Sequence, residues 1–410
     1  MKQDWFNKFL FYSLILSLAF FTAGKFLYFS ILLIMFIVVF ERGLRAWERD
    51  YFLYFLIVIF LFHISFYVGA LKGNSLQHML RNNYFSIYYF LFPYVLISTL
   101  NYGTLRNVLA KINFSVFLIC TAHIFIYVAA LLSPKFHVFF DTTLVGRLGY
   151  AFGFAGAAEN GLKVYSNLTS LIIFCLGIEI FFYKRRLLIG ILIVTIGLSA
   201  SITQYFILLL FLTLIASEII MRFFLKLRLH LGHFLIGIAG AISMIVLIVN
   251  LGLFGLVQEK IEGFNQSQSF NTVSIRKDQA EILIHEAEAH LPFGAGLGYE
   301  SPAYSEYRKG FGDTKELNQS MYENQYLDVL MKFGFLAAFI AILYILLPSV
   351  FLIINSISNN DFGYLKVLFT YYGVLLYSGS NGNTFYMYST MIVWGIVMLV
   401  CFKGLNNEGR

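Results

Sequence analysis

Apolar segments long enough to cross a lipid bilayer recur from one end of this 410-residue sequence to the other. A hydrocarbon core of about 30 Å takes ~20 helical residues to cross, and a helix satisfies the backbone of an apolar segment internally. The sequence therefore predicts an all-α, polytopic integral membrane protein with one domain, residues 1–410. About twelve spans are expected, near 9–23, 26–40, 51–71, 84–100, 113–133, 164–183, 187–200, 203–221, 233–255, 324–354, 363–378 and 384–402.

The composition agrees with this class and excludes others. Hydrophobic residues make up 59% of the chain and charged residues 12%, with a mean hydropathy of +0.75. The net charge of +7 comes from Lys and Arg that flank spans, where they set topology, so no nucleic-acid partner is expected. The three cysteines lie inside apolar segments without the C-x-x-C spacing of zinc or redox sites, which favours packing roles.

Basic residues predict the orientation of the spans. Residues 1–24 have the basic start and apolar core of a signal peptide but no convincing A-x-A cleavage site, so segment 9–23 is interpreted as a retained span. With the N-terminus in the cytoplasm, the inner loops hold most of the Lys and Arg, and the C-terminus is also cytoplasmic. Two long loops, 134–163 and 256–323, then lie on the outer face. Long loops of this kind are usually functional.

Two motif-like stretches do not qualify as sites. G-A-G-L-G-Y, starting at Gly294, follows no buried strand and opens no helix, so it does not indicate a nucleotide fold. H-E-A-E-A-H places His285 and His290 five residues apart, which separates them by about 140° around a helix and prevents a shared zinc ion. No metal and no cofactor are expected.

The second long loop contains a predicted helix with an unusual charge order. It begins at Thr272 or Ser274 and ends at Pro292 and Gly294. Basic residues occupy its first turn and acidic residues its later turns, against the preference of the helix dipole: Arg276 and Lys277, then Glu281, Glu286 and Glu288. Either Lys277 pairs with Glu281 at i, i+4, or the basic end holds an anion.

Three further polar residues stand near the same outer face. Arg147 lies among glycines in the first long loop, which allow the backbone to approach a ligand closely. Glu323 and Asn324 precede an apolar helix at the membrane surface, where Asn324 also serves as a helix cap.

The order and spacing of four stretches resemble the O-antigen polymerase and O-antigen ligase superfamily (Wzy- and WaaL-like). These stretches are R-L-G-Y-A-F-G-F-A-G-A-A-E-N from Arg147, I-G-L-S-A-S-I-T-Q-Y-F-I-L-L-L-F from Ile196, R-K-D-Q-A-E-I-L-I-H-E-A-E-A-H-L-P-F-G-A-G-L-G-Y from Arg276 and E-N-Q-Y-L-D-V-L-M-K-F-G-F-L-A-A-F from Glu323.

The resemblance implies a GT-C-like, metal-independent glycosyltransferase of the bacterial inner membrane, with its long loops in the periplasm. Its partners would be membrane lipids, an oligosaccharide linked to undecaprenyl pyrophosphate and a chain-length regulator. Arg147 and Arg276 would neutralise the leaving diphosphate, because arginine suits bidentate phosphate binding. Glu323, with Glu281 as second candidate, would take the proton of the acceptor hydroxyl.

Further residues are predicted to bind substrate. They are Lys277, Glu281, Asn324, Gly294, Gly296 and Tyr299. Tyr299 and neighbouring tyrosines suit stacking on sugar faces, although interfacial anchoring explains a single tyrosine equally well.

The function predicted first is polymerisation of O-antigen or capsule repeat units in lipopolysaccharide or polysaccharide biosynthesis. Ligases of the superfamily typically have His where this chain has Glu323, and that departure favours a polymerase. The alternatives are ligation of the glycan to lipid A-core and export or flipping of the lipid-linked sugar without catalysis. An exporter would be indicated by Lys or Arg turned inward at mid-membrane.

Overall fold

A computed structural model of the protein describes residues 49–80, 82, 105–133, 154–155, 165–166, 169–198, 207–211, 272–309, 325–380 and 388–404. The helices in these ranges are α1 Arg49–Leu71, α2 Leu105–Leu132, α3 Thr169–Tyr183, α4 Arg186–Leu198, α5 Thr272–Ala289, α6 Pro302–Lys309, α7 Gln325–Phe333, α8 Leu336–Asn359, α9 Gly363–Ser380 and α10 Tyr388–Lys403. Short helical pieces also lie at 76–80 and 207–211.

Helices α3, α9 and α10 form the centre of the described part. Every residue from Thr169 to Ile178 is buried, as is every residue from 392 to 400, because helices that are apolar on all faces pack in the interior. Gly177 lets α3 approach α9 so closely that a side chain there would overlap Thr370. Trp394 of α10 stacks on Tyr344 of α8 with ring centroids 4.8 Å apart.

Several of the helices in the described ranges are apolar, as the hydropathy prediction expects of membrane spans. Ile112–Ala129 in α2 and Leu336–Asn359 are long and apolar enough to cross a membrane, and α1, α3, α4 and α10 contain shorter apolar stretches. The predicted spans 9–23, 26–40, 84–100 and 233–255 lie outside the described residues. The three cysteines are free and buried, which confirms their packing role.

Two predicted span boundaries are wrong. Residues 165–166 form strand β2, which pairs antiparallel with β1, residues 154–155, so α3 begins at Thr169 rather than 164. The predicted span 324–354 is two helices, because Gly334 adopts a φ of +55° that only glycine tolerates easily and ends α7. A side chain at Gly334 would also overlap the carbonyl oxygen of Pro292.

A glycine-rich segment, residues 292–298, lies between α1 and α7, and we call it the glycine loop. Leu297 donates its N–H to the carbonyl of Ser65 at 3.0 Å, six residues before the end of α1. Six helical residues correspond to about 9 Å, so the loop penetrates below the end of that span. Non-helical backbone at such depth requires hydrogen-bond partners within the protein.

The glycine loop obtains these partners from three directions. Its N–H groups donate to helix carbonyls: Gly294 to His290, Ala295 to Met331, Gly296 to Lys332 and Leu297 to Ser65. Its carbonyls accept from the turn after α1, where the Lys72 ammonium bonds Gly294 at 2.8 Å and the Asn74 amide bonds Ala295 and Leu297 at 2.9 and 3.0 Å. The loop thereby also satisfies the last carbonyls of α7, which have no partner within that helix.

We expect Gly296→Ala to prevent stable folding, because Gly296 has a φ of +81° and an added methyl would overlap the backbone of Gly69. The control is Gly190→Ala, since a methyl on this helical glycine in α4 meets nothing within 4 Å. That change should stabilise the helix by about 0.5–1 kcal/mol. Thermal unfolding of the two variants and the parent in one detergent measures both changes in stability. Equal changes in the two variants would show that the loop is not closely packed.

Candidate functional site

Helix α5 presents one face to the protein and another to the outside. Leu283 and Ala287 are fully or almost fully buried in a cluster with Met331 of α7, whereas Ile284 is 41% exposed. Position 276 precedes Leu283 by seven residues, which places it on the same face of the helix as Leu283.

The same geometry separates Arg276 from Lys277 and Glu281. Glu281 is five residues from Arg276, which places it about 140° away around the helix, on the exposed face with Ile284. Position 277 precedes 281 by four residues and belongs to that outer face as well. The i, i+4 relation needed for a Lys277–Glu281 pair is thus present in the backbone, while the side chains of 276 and 277 are outside the described part.

The predicted site residues fall at two ends of α5. Arg276 and Lys277 lie in its first turns, and Gly294, Gly296 and Tyr299 follow its C-terminal end. The helix has 18 residues and is therefore about 27 Å long. One diphosphate cannot contact both ends. Arg147, Glu323 and Asn324 lie outside the described residues.

The glycines of the loop have a packing explanation. A side chain on Gly294 would overlap the backbone of Lys332, and one on Gly296 would overlap Gly69. The N–H groups of residues 294–297 already donate within the protein, so these four do not form an anion-binding nest. A direct contact of Gly294 or Gly296 with substrate stays a prediction.

A polar cluster of five side chains surrounds the C-terminal end of α5: Lys72, Glu286, His290, Tyr299 and Ser301. The Glu286 carboxylate accepts hydrogen bonds from the Tyr299 hydroxyl at 2.8 Å and the Ser301 hydroxyl at 2.7 Å. His290 Nε2 lies 3.7 Å from the same carboxylate, and the imidazole packs edge-on against the Tyr299 ring. Tyr299 therefore has a defined position, with its hydroxyl turned to Glu286.

The contact with the Lys72 ammonium indicates which ring nitrogen of His290 carries the proton. Its Nζ lies 3.3 Å from His290 Nδ1, and because an ammonium only donates, Nδ1 accepts and the ring proton sits on Nε2, facing Glu286. Burial and the Lys72 charge lower the pKa of His290, while Glu286 opposes them. Burial, together with Glu286, raises the pKa of the Tyr299 hydroxyl. At neutral pH the imidazole is neutral and able to accept a proton, and the phenol is protonated.

Sequence reasoning missed Glu286, His290, Ser301 and Lys72 as members of a cluster. The i, i+4 spacing of Glu286 and His290 was a usable signal, because residues so spaced share a helix face. Ser301 and Lys72 carry no comparable signal, since their proximity depends on the path of the glycine loop. A second contact between a histidine and a glutamate joins His78 to Glu300.

Helix α7 contains a buried ion pair that hydropathy reasoning also missed. Asp328 and Lys332 are both fully buried, and their charged groups are 2.7 Å apart. The pair lies within the predicted span 324–354. Opposite charges at i, i+4 inside an apolar stretch were the available signal.

Helices α5 and α7 point in the same direction. Met331 and Lys332, near the end of α7, accept hydrogen bonds from the loop that follows α5, so the two C-terminal ends lie together. Met331 and Leu327 pack in one cluster with Leu283 and Ala287 of α5. We infer that the start of α7, which Glu323 and Asn324 directly precede, is directed toward the N-terminal half of α5.

Comparison with known proteins identifies the segment in which this arrangement lies. Residues 186–342 match the family model described as O-antigen ligase. The match supports placement in the O-antigen ligase and polymerase superfamily, whose members are membrane-associated, glycosyltransferase-like enzymes acting on lipid-linked oligosaccharides. It supports a role in O-antigen or polysaccharide assembly. A search of curated proteins found no match to this chain.

We expect Asp328→Ala to destabilise the protein by about 3–5 kcal/mol, because it leaves the Lys332 ammonium buried without its carboxylate. The matched control is the double variant Asp328→Leu with Lys332→Met, which removes both charges at similar volume. It should unfold at a temperature close to that of the parent protein. Thermal unfolding of the three proteins in one detergent measures the effect. Equal losses in the single and double variants would show that charge pairing is not the cause.

Proposed function

We propose that the protein is a polymerase of O-antigen or capsule repeat units. It would transfer a glycan from undecaprenyl pyrophosphate to the non-reducing end of another lipid-linked unit, at the outer side of the inner membrane. Both termini would lie in the cytoplasm and both long loops in the periplasm. The observation that carries the proposal is the side-by-side packing of α5 and α7 inside the matched segment 186–342.

This packing gives one end of the helix pair the character of an anion site. Helix N-termini carry partial positive charge and free N–H groups, and here the two N-termini are directed the same way. Arg276, which shares a helix face with Leu283, would add a guanidinium. Displacing a diphosphate from a sugar builds negative charge on the leaving group, which such an end stabilises without a metal ion. Arg147, from the first long loop, would supply the second guanidinium.

Glu323 is the proposed general base. It stands two residues before Gln325, the first residue of α7. An unperturbed glutamate is ionised at neutral pH and can take the proton of an attacking hydroxyl. Asn324 would cap α7 or bind the acceptor. Glu281 is less well placed for this role, because it lies on the opposite face of α5 from Arg276.

The polar cluster would contact sugars further from the reacting bond. Glu286 and His290 follow Arg276 by 10 and 14 residues, which is about 15–21 Å along the helix. A chain of several sugars can span this distance, whereas a diphosphate cannot. Tyr299, held by Glu286, then offers a fixed ring for stacking on a sugar. Lys277, on the outer face of α5, would attract the anionic substrate from solution.

Ligation to lipid A-core is the second candidate, because the matching family model is described as O-antigen ligase. The same donor site serves both reactions, and only the acceptor differs. Export without catalysis has less support. Lys332 is a buried cation of the kind an exporter would need, but Asp328 neutralises it at 2.7 Å. A neutralised pair provides no path for an anion.

Purified protein in lipid discs, incubated with undecaprenyl-pyrophosphate-linked repeat units, tests the proposal directly. Longer lipid-linked chains should appear without an added metal ion and in the presence of a chelator. A parallel reaction with lipid A-core as acceptor separates ligase from polymerase. Unchanged monomers in both reactions, under conditions where a known polymerase is active, would contradict both enzymatic candidates.

We expect Arg276→Ala to lower the rate of chain growth by about 10²–10³-fold, the usual cost of removing one group that stabilises transition-state charge. Arg276→Lys should recover little of it, because an ammonium cannot bind phosphate bidentately. The control is Arg186→Ala, which removes an exposed arginine from the start of α4 and should leave the rate unchanged. Product length on gels and unfolding temperature are measured together. An active Arg276→Ala protein would remove this residue from the mechanism.

A further inference from the structure

Four exposed apolar side chains surround the entrance to the glycine loop. Leu71 is 89% exposed, Leu291 43%, Phe293 64% and Phe335 64%. Their neighbouring backbone groups are joined: Phe335 donates its N–H to Pro292, and the Lys72 ammonium bonds Gly294. These residues therefore form one surface, which we call the apolar rim, at the point where α1 ends and α8 begins.

The apolar rim continues the outward faces of the two helices. On α8, exposed residues recur at helical spacing from Phe335 through Phe339, Ile342 and Leu346, in a helix long and apolar enough to cross a membrane. On α1 the corresponding exposed residues are Phe60, Tyr67 and Leu71. Phe293 is part of a loop that hydropathy assigns to water, yet it extends these two stripes without interruption.

The outer face of α5 differs in composition from the apolar rim. Ile284 is also exposed, but its neighbours on the outer face of α5 are polar, namely Glu281, His285 and Glu288. Lys72, directly after Leu71 of the rim, contacts His290. Apolar residues next to a lysine match the boundary between acyl chains and headgroups.

We propose that the apolar rim inserts into the acyl region of the outer leaflet and anchors the C-terminal end of α5 to the membrane surface. The occupant is bilayer lipid, because the rim is continuous with the lipid-facing stripes of α1 and α8. The anchor holds the glycine-loop end of α5 at the bilayer surface. This inference depends on membrane association and not on the transfer reaction.

Spin labels at single introduced cysteines test the anchor in phospholipid bilayer discs. Phe293→Cys reports the rim, Phe339→Cys the lipid-facing stripe and Ile284→Cys the water-facing side of α5. The natural cysteines Cys120, Cys175 and Cys401 are 0–5% exposed, and labelling of the unchanged protein measures their background. Oxygen concentrates in the acyl region and a nickel chelate in water, so their collision rates with each label report its surroundings.

At positions 293 and 339 the collision rate with oxygen should exceed that with the nickel chelate, and at 284 the order should be reversed. Phe335→Cys repeats the test on the other side of the rim and should behave like 293. A label at 293 that resembles the label at 284 would overturn the proposal. So would a label at 293 shielded from both reagents, because that result indicates a second protein chain on this surface. Neither result depends on whether the protein polymerises glycans.

Discussion

Every backbone polar group that leaves helical structure inside a membrane protein needs a partner from the protein itself. The glycine loop meets this requirement with donors and acceptors from α1, α5, α7 and the turn at 72–74. Because these bonds come from segments far apart in sequence, the loop fixes where the C-terminal ends of α1, α5 and α7 lie relative to one another. The arrangement of the candidate site depends on this junction.

Hydropathy and turn chemistry were sufficient for much of the fold. The predicted spans 51–71, 363–378 and 384–402 correspond to α1, α9 and α10 within a few residues, since long apolar segments have few alternatives to a helix. The helix predicted from Thr272 to the Pro292–Gly294 stop is α5, Thr272–Ala289. The prediction that Arg276 and the later glutamates belong to one helix is thereby confirmed, although their roles stay predictions.

What the sequence did not reveal depends on contacts between distant residues. The break at Gly334 is set by the carbonyl of Pro292, which hydropathy does not detect inside an otherwise apolar run. The burial of Asp328 and Lys332 requires knowing that α7 packs against both the membrane helices and α5. Gly294 and Gly296 resembled ligand-binding glycines by spacing, but their positive φ angles serve close packing of backbone against backbone.

The junction also explains why the two ends of α5 differ in what they can do. At the C-terminal end, Tyr299 donates a hydrogen bond to Glu286, and His290 lies 3.7 Å from Glu286 and contacts Lys72 in the turn after α1, so that end has a defined geometry. Defined placement suits groups that orient a bound sugar chain. We propose that the N-terminal end, about 27 Å away along the helix, holds the anion, because the helix dipole and Arg276 favour negative charge there. A glycan carried on a lipid diphosphate has this same division between a charged reacting end and a long neutral chain, so one helix would present complementary chemistry to both.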